Sequence, residues 1–123
     1  MGILLDSCIL IDMLRGKQLA LDAVAAMREP PCYCDVSVTE IYSGVRSQAE
    51  EQKFEQTLRD FKRVLHTPEV FRRAGTLLRN FQASHSTDFA DALIAATAEH
   101  HGLALATLNI KHFPMFKRLR APY

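Results

Sequence analysis

Tryptophan is absent, and only three residues are cysteine. No apolar run approaches the ~20 residues that a membrane-spanning helix needs. Cys8, Cys32 and Cys34 are an odd set with no secretory leader before them. That pattern predicts reduced thiols and a cytoplasmic protein rather than a disulfide framework. Zinc is also excluded as a structural staple. Cys32-x-Cys34 is not knuckle spacing, and the five histidines form no four-ligand pattern. Low-complexity tracts and internal repeats are missing. So is strong charge of either sign: the net charge is +1, and no global field points to nucleic acid. Only the C-terminal end is locally basic, with Lys111, Lys117, Arg118 and Arg120. That cluster reads either as a solvated surface or as a contact for an acidic partner.

What remains is an ordinary globular composition in 123 residues, 48% of them hydrophobic. This is enough for one domain, 1–123, with its own core. The chain is organised around Thr87 to Phe113. Asp88 reads as a helix N-cap and Gly102 as its stop. From Ala90 to Ala98 only Asp91 is charged, so the helix is predicted to be buried. Leu103 to Ala106 then reads as a strand buried in a parallel sheet, ending in the polar residues Thr107 and Asn109.

The rest alternates in the same way. Ile3-Leu4-Leu5 is a buried strand, followed at once by Asp6. A helix runs from Ser7 to Leu14 with Cys8, Ile11 and either Met13 or Leu14 inward, and another from Gln18 to about Met27. Tyr33 to Val36 is the second strand, and Ser37 opens the next helix. Gln48 to Lys62 is amphipathic through Phe54, Leu58 and Phe61. Arg63 to His66 is a short strand. Thr67-Pro68 starts a helix that reaches about Ala83. Strands separated by helices imply an α/β fold with parallel pairing.

Ligands in such sheets bind beyond the carboxyl ends of the strands. Asp6, Glu40, Asp91, Thr107 and Asn109 all fall there. Clustered carboxylates repel one another, and a hard divalent cation removes the conflict. Two such ions can clamp a phosphodiester for hydrolysis by activated water. No Cys-His or Ser-His-Asp set offers a nucleophile instead. Each acid also has a local reading. Asp6 is equally a polar strand end or an N-cap. Ser37-Val38-Thr39-Glu40 has the form of a capping box, with Glu40 as its acid. Asp88 reads more readily as a cap than as a ligand. Asp91 resists such a reading, because a charge in an apolar helix needs a partner. A phosphorylatable receiver domain is ruled out, since His66 and Thr67 stand where its acceptor Asp would be.

Four segments make the chemistry more specific: Leu-Leu-Asp-Ser-Cys-Ile-Leu-Ile-Asp, Ser-Val-Thr-Glu-Ile-Tyr-Ser-Gly, Asp-Ala-Leu-Ile-Ala-Ala-Thr-Ala and Thr-Leu-Asn-Ile-Lys-His-Phe. In this order they resemble the PIN-domain ribonucleases, and among them the VapC-type toxins of type II toxin–antitoxin pairs. The resemblance spans nearly the whole chain. It implies a three-layer fold with a short central parallel sheet flanked by helices. It also implies an endoribonuclease dependent on Mg²⁺ or Mn²⁺, a homodimer, and a small VapB-like antitoxin that blocks the site. Promoter DNA would be reached only through that antitoxin. Asp6, Glu40 and Asp91 match the family's acidic positions, and Ser7 and Thr107 its hydroxyl positions. Asp88 and His112 are auxiliary candidates. Where a fourth acid is expected, this chain has Asn109 and His112, which leaves a second metal position one carboxylate short. The alternative function is a weak or inactive PIN-like module that binds RNA or protein.

Overall fold

The computed structural model describes residues 2–123. Strand β1, Ile3–Leu5, leads into helix α1, Ser7–Leu14, and helix α2, Gln18–Ala25, follows. Strand β2, Cys32–Cys34, precedes helices α3, Asp35–Gly44, and α4, Gln48–Arg59. Strand β3, Lys62–Val64, is followed by the helical pair α5, Pro68–His85, and α6, Phe89–His101. Strand β4, Ala104–Ala106, and a 3₁₀ turn, Ile110–His112, complete the order. The strands pair in parallel, in the order β3-β2-β1-β4.

The sheet is covered on both faces, and β1 shows why. Successive strand side chains point to opposite faces. Leu4 lies in a core with Leu105, Val70, Leu77 and the inward face of α6. Leu5 lies in a second core with Ile9, Leu10, Ile41, Phe54 and Leu58. An apolar strand fits only where both faces are buried. Helix α6 is buried continuously from Asp91 to Thr97, and Ala98 is buried too. Leu93 and Ile94, 4% and 0% exposed, each contribute about 1.5–3 kcal/mol by leaving water. Among the described residues no helix is long and apolar enough to cross a membrane.

Element types follow the sequence reading; several ends differ. Strand β2 is Cys32–Cys34 rather than Tyr33 to Val36, and α3 begins at Asp35 rather than Ser37. The reason is tertiary. Arg63 on β3 grips the Asp35 carboxylate through both oxygens, at 2.8 and 2.5 Å. This fixes an acid in the first helical turn, where the dipole favours it. Ser37 therefore lies inside the helix, buried, and caps nothing. Helix α4 stops at Arg59 and leaves Lys62 to β3. Helix α5 runs to His85, where Ser86 ends it in the left-handed conformation at φ 56°. In α1 the buried side chains are Ser7, Ile9, Leu10, Met13 and Leu14, so Met13 and Leu14 do face inward, whereas Cys8 and Ile11 are only partly buried.

Candidate active site

The polar residues converge beyond the carboxyl ends of β1 and β4. Asp6 follows β1 directly. Its Oδ1 accepts the Ser7 N–H at 2.7 Å, which caps α1. Its Oδ2 accepts the Thr107 hydroxyl at 2.6 Å, from just past β4. Parallel pairing of Leu5 with Ala106 brings these two residues together across the sheet edge. Only 3% of Asp6 is exposed. Burial raises its pKa from the ordinary carboxylate value, its hydrogen bonds oppose this, and the charge of Asp88 adds to the rise.

Glu40 reaches the same place from α3. The Ser7 hydroxyl lies 2.6 Å from Glu40 Oε1 and 2.8 Å from Ser37 Oγ. With one proton to give, Ser7 donates to the carboxylate. The capping-box reading of Glu40 is overturned, because α3 already starts at Asp35 and Ser37 points to Ser7 instead. Burial is again the main cause of a raised Glu40 pKa. Ser7 opposes it, and the Asp6 and Asp88 charges reinforce it.

Asp88 and Asp91 form a reciprocal box at the head of α6. The Asp91 N–H donates to Asp88 Oδ1 at 2.8 Å, and the Asp88 N–H donates to Asp91 Oδ2 at 3.1 Å. His112 Nδ1 stands 3.1 Å from that same Oδ2. The Asp91 carboxyl is pushed up to about 6. Burial is the largest cause; the Asp88 N–H lowers the value, and the charges of Asp88 and Asp6 raise it. Asp91 therefore feels both groups, although they belong to separate hydrogen-bond networks.

Asn109 joins through its backbone, whose N–H donates to Thr107 Oγ1 at 2.9 Å, while the residue itself is exposed. Three contributors escaped the sequence reading. Ser37 supports Ser7; it lies three residues before Glu40, hence on the same helix face. Cys8 turns toward the site, with Sγ 3.4 Å from Asp6 Oδ2 and 3.8 Å from Thr107 Oγ1. Burial and the Asp6 charge push its thiol up to about 11, so it is not a ready nucleophile. Thr87 donates to the His112 carbonyl at 2.8 Å and pins the 3₁₀ turn against the start of α6. No sequence signal marked Cys8 or Thr87 as part of this edge.

Asp12, Asp35, Glu50 and Glu99 each pair with a Lys or Arg. Among the described residues Asp6, Glu40, Asp88 and Asp91 have no such partner, and His112 is the one basic side chain in contact. Two buried carboxylates, Asp6 and Asp91, with the exposed Glu40 and Asp88 beside them and no Lys or Arg neighbour, are an oxygen donor set that a hard cation would satisfy. They do not form a closed cage. Among the described residues, no three His, Cys, Asp or Glu side chains stand close enough to hold an ion by themselves. Mg²⁺ is normally held in this open way, through one or two carboxylates with water and substrate phosphate. The donors present fit such an ion.

The PIN-domain family model matches residues 3–120. Ribonuclease VapC10 of Mycobacterium tuberculosis is 40% identical over 98% of this chain and 92% of its own length. Ribonuclease VapC19 of the same organism is 35% identical over 98% of both chains. A solved toxin–antitoxin complex from Klebsiella pneumoniae superposes with a TM-score of 0.84 at 27% identity, covering 99% of this chain and 98% of its counterpart. The parallel sheet, the acids beyond its strand ends and a model match over nearly the whole length agree: the chain belongs to the PIN-domain family.

Proposed function

We propose that this protein is the endoribonuclease toxin of a type II toxin–antitoxin pair, acting as a single domain, 1–123. The observation that carries the reading is the convergence of Asp6, Glu40, Asp88 and Asp91 beyond the strand ends, with Asp6 and Asp91 buried and none of the four facing a Lys or Arg among the described residues. The similarity to proteins named ribonucleases supplies the substrate class. Similarity to a toxin–antitoxin complex supplies the partner, a VapB-like antitoxin that covers the site. A homodimer, with promoter DNA reached through the antitoxin, completes the proposed assembly. The three free cysteines suit a reducing cytoplasm.

In this reading Asp6 and Asp91 would hold a divalent cation, Mg²⁺ or Mn²⁺, and Glu40 would reach it through water. When bound, that ion supplies positive charge to the phosphodiester and lowers the pKa of water. The chain's own residues do the rest. Thr107 and the Ser7 N–H hold both Asp6 oxygens, so the carboxylate cannot rotate away. Ser7 aims Glu40. Glu40 is solvent-accessible with a raised pKa, suited to take the proton of the attacking water. His112 orients Asp91.

The test is cleavage of RNA by the purified, antitoxin-free protein. Activity is expected to vanish in EDTA and return with Mg²⁺ or Mn²⁺, and co-expressed antitoxin is expected to rescue growth. Cleavage that persists in EDTA, in a preparation free of other nucleases, would refute the metal reading. One observation favours an inactive binding module: Asn109 and His112 stand where a fourth acid is expected. RNA binding without cleavage under any divalent ion would select that reading.

A further inference from the structure

Beside the acidic cluster lies a cavity of about 300 Å³, lined by Ser84, His85, Ser86, Lys111 and His112. Its walls come from the end of α5 and from the 3₁₀ turn. Thr87 ties those walls together by donating to the His112 carbonyl at 2.8 Å. Ser86 holds φ 56°, a left-handed conformation that a non-glycine residue adopts at a cost, and the only one among the described residues. Such strain gathers at functional sites. No carboxylate lines the cavity. Lys111 is exposed and, among the described residues, makes no ion pair. The carboxyl end of α5 brings a partial negative charge of roughly one half, smaller than the full positive charge of Lys111. His112 belongs to both places, lining the cavity while its Nδ1 lies 3.1 Å from Asp91 Oδ2.

We propose that this cavity is a subsite for a phosphodiester group of single-stranded RNA, next to the one that is cut. The inference rests on the ribonuclease reading above and adds the direction in which the substrate leaves the acidic cluster. Lys111 supplies the counter-charge, and the Ser86 hydroxyl is a donor for a phosphate oxygen, while Ser84 Oγ lies 2.7 Å from His85 Nδ1. The preformed walls mean that little chain ordering accompanies binding. A surface that repels phosphate at its acidic centre needs such a cation at its margin to hold the strand.

The experiment measures binding of a short single-stranded RNA by fluorescence anisotropy in EDTA, at several salt concentrations. It compares wild type with Lys111→Ala, Lys111→Arg and Arg28→Ala, the last in the loop before β2, at the amino end of that strand rather than the carboxyl ends where the acids lie. Lys111→Ala is expected to bind about fivefold more weakly and to lower the salt slope by about 0.7, the loss of one phosphate contact. Lys111→Arg is expected to restore both, and Arg28→Ala to stay within twofold of wild type. Equal binding and slope for Lys111→Ala, or an equal loss in Arg28→Ala, would overturn the subsite. Cleavage assays with Mn²⁺ separate the two readings. A raised KM with kcat unchanged in Lys111→Ala supports the subsite; an unchanged KM in an active enzyme overturns it alone. If no protein cleaves RNA but the Lys111 effect on binding stands, the nuclease reading fails and the subsite survives.

Discussion

Replacing Asp91 by Asn is expected to abolish cleavage and yet stabilise the protein. The side chain is 9% exposed and its carboxyl is pushed up to about 6, from an ordinary 3.8. A difference of about 2 on the pH scale corresponds to ~3 kcal/mol lost by the folded state at neutral pH. Asparagine removes the charge but keeps a carbonyl oxygen that can still accept the Asp88 N–H. It gives up the attraction to His112, so the net gain should be ~1–2 kcal/mol, or roughly 4–8 °C in Tm for a chain of this size. The sign of the pH dependence follows from the raised value. Between 3.8 and about 6 the folded state binds more protons than the unfolded state. Wild-type stability therefore falls as pH rises through that window, and the advantage of Asp91→Asn is full above it and vanishes below it. Urea unfolding at pH 7.5 and pH 4 measures both terms. A variant less stable than wild type at pH 7.5, or equally advantaged at pH 4, would refute the reasoning and make Asp91 a structural residue.

Glu40→Gln is expected to reduce cleavage by at least a hundredfold with Tm nearly unchanged, since Glu40 lies inside α3, five residues past its start, and does not cap it; wild-type rates would remove Glu40 from the chemistry. Calorimetric titration with Mg²⁺ and Mn²⁺ is expected to find at most one tight ion in the RNA-free protein, with Mn²⁺ giving the higher activity because imidazole suits it better. Asn109→Asp should tighten a second ion, and two tight Mg²⁺ sites in the wild type would contradict this. His66 accepts the Val36 N–H on Nε2 at 3.1 Å and lies 2.8 Å from Thr97 Oγ1 on Nδ1, which requires a neutral ring. Burial lowers its pKa; the charges nearby are Asp35, which opposes, and His101 and Arg63, which assist. The stability it provides is full above the unfolded value of about 6.5 and is lost as pH falls below it. His66→Ala should cost ~1–3 kcal/mol by leaving Val36 unpaired and should flatten that decline; an unchanged pH profile would exonerate His66.

The fold was legible where the pattern was local and strong. Ile3 to Leu5 and Ala92 to Ala96 are apolar without interruption, and burial on all sides is the one environment that suits them. Element ends were less legible because partners distant in sequence decide them. Ser37 has the chemistry of a cap, but Arg63 holds Asp35 and starts the helix two residues earlier. The convergence of Asp6 with Thr107 followed from parallel topology, whereas their hydrogen bond depends on the register Leu5 to Ala106, which no periodicity encodes. Cys8 looked like a core residue for the same reason. Its neighbours in α1 are apolar, and only the position of Thr107 shows that its thiol faces the polar edge.

Treating cap and ligand as competing roles was the deeper difficulty, and the geometry removes the competition. A carboxylate offers about four lone-pair positions, and a capping bond uses one. Asp6 caps α1 through Oδ1, and its Oδ2 faces Thr107 and Cys8. Asp88 caps α6 through Oδ1, and Asp91 returns the bond through Oδ2. The caps hold each acid in one orientation, and the remaining lone pairs stay available to a cation. Burial works in the same direction. It raises the pKa of Asp6 and Asp91, which disfavours the charged form until a cation arrives. Local helix chemistry and the proposed metal chemistry therefore select the same residue types at the same positions. A sequence reading that assigns such an acid to one role discards half of what it does.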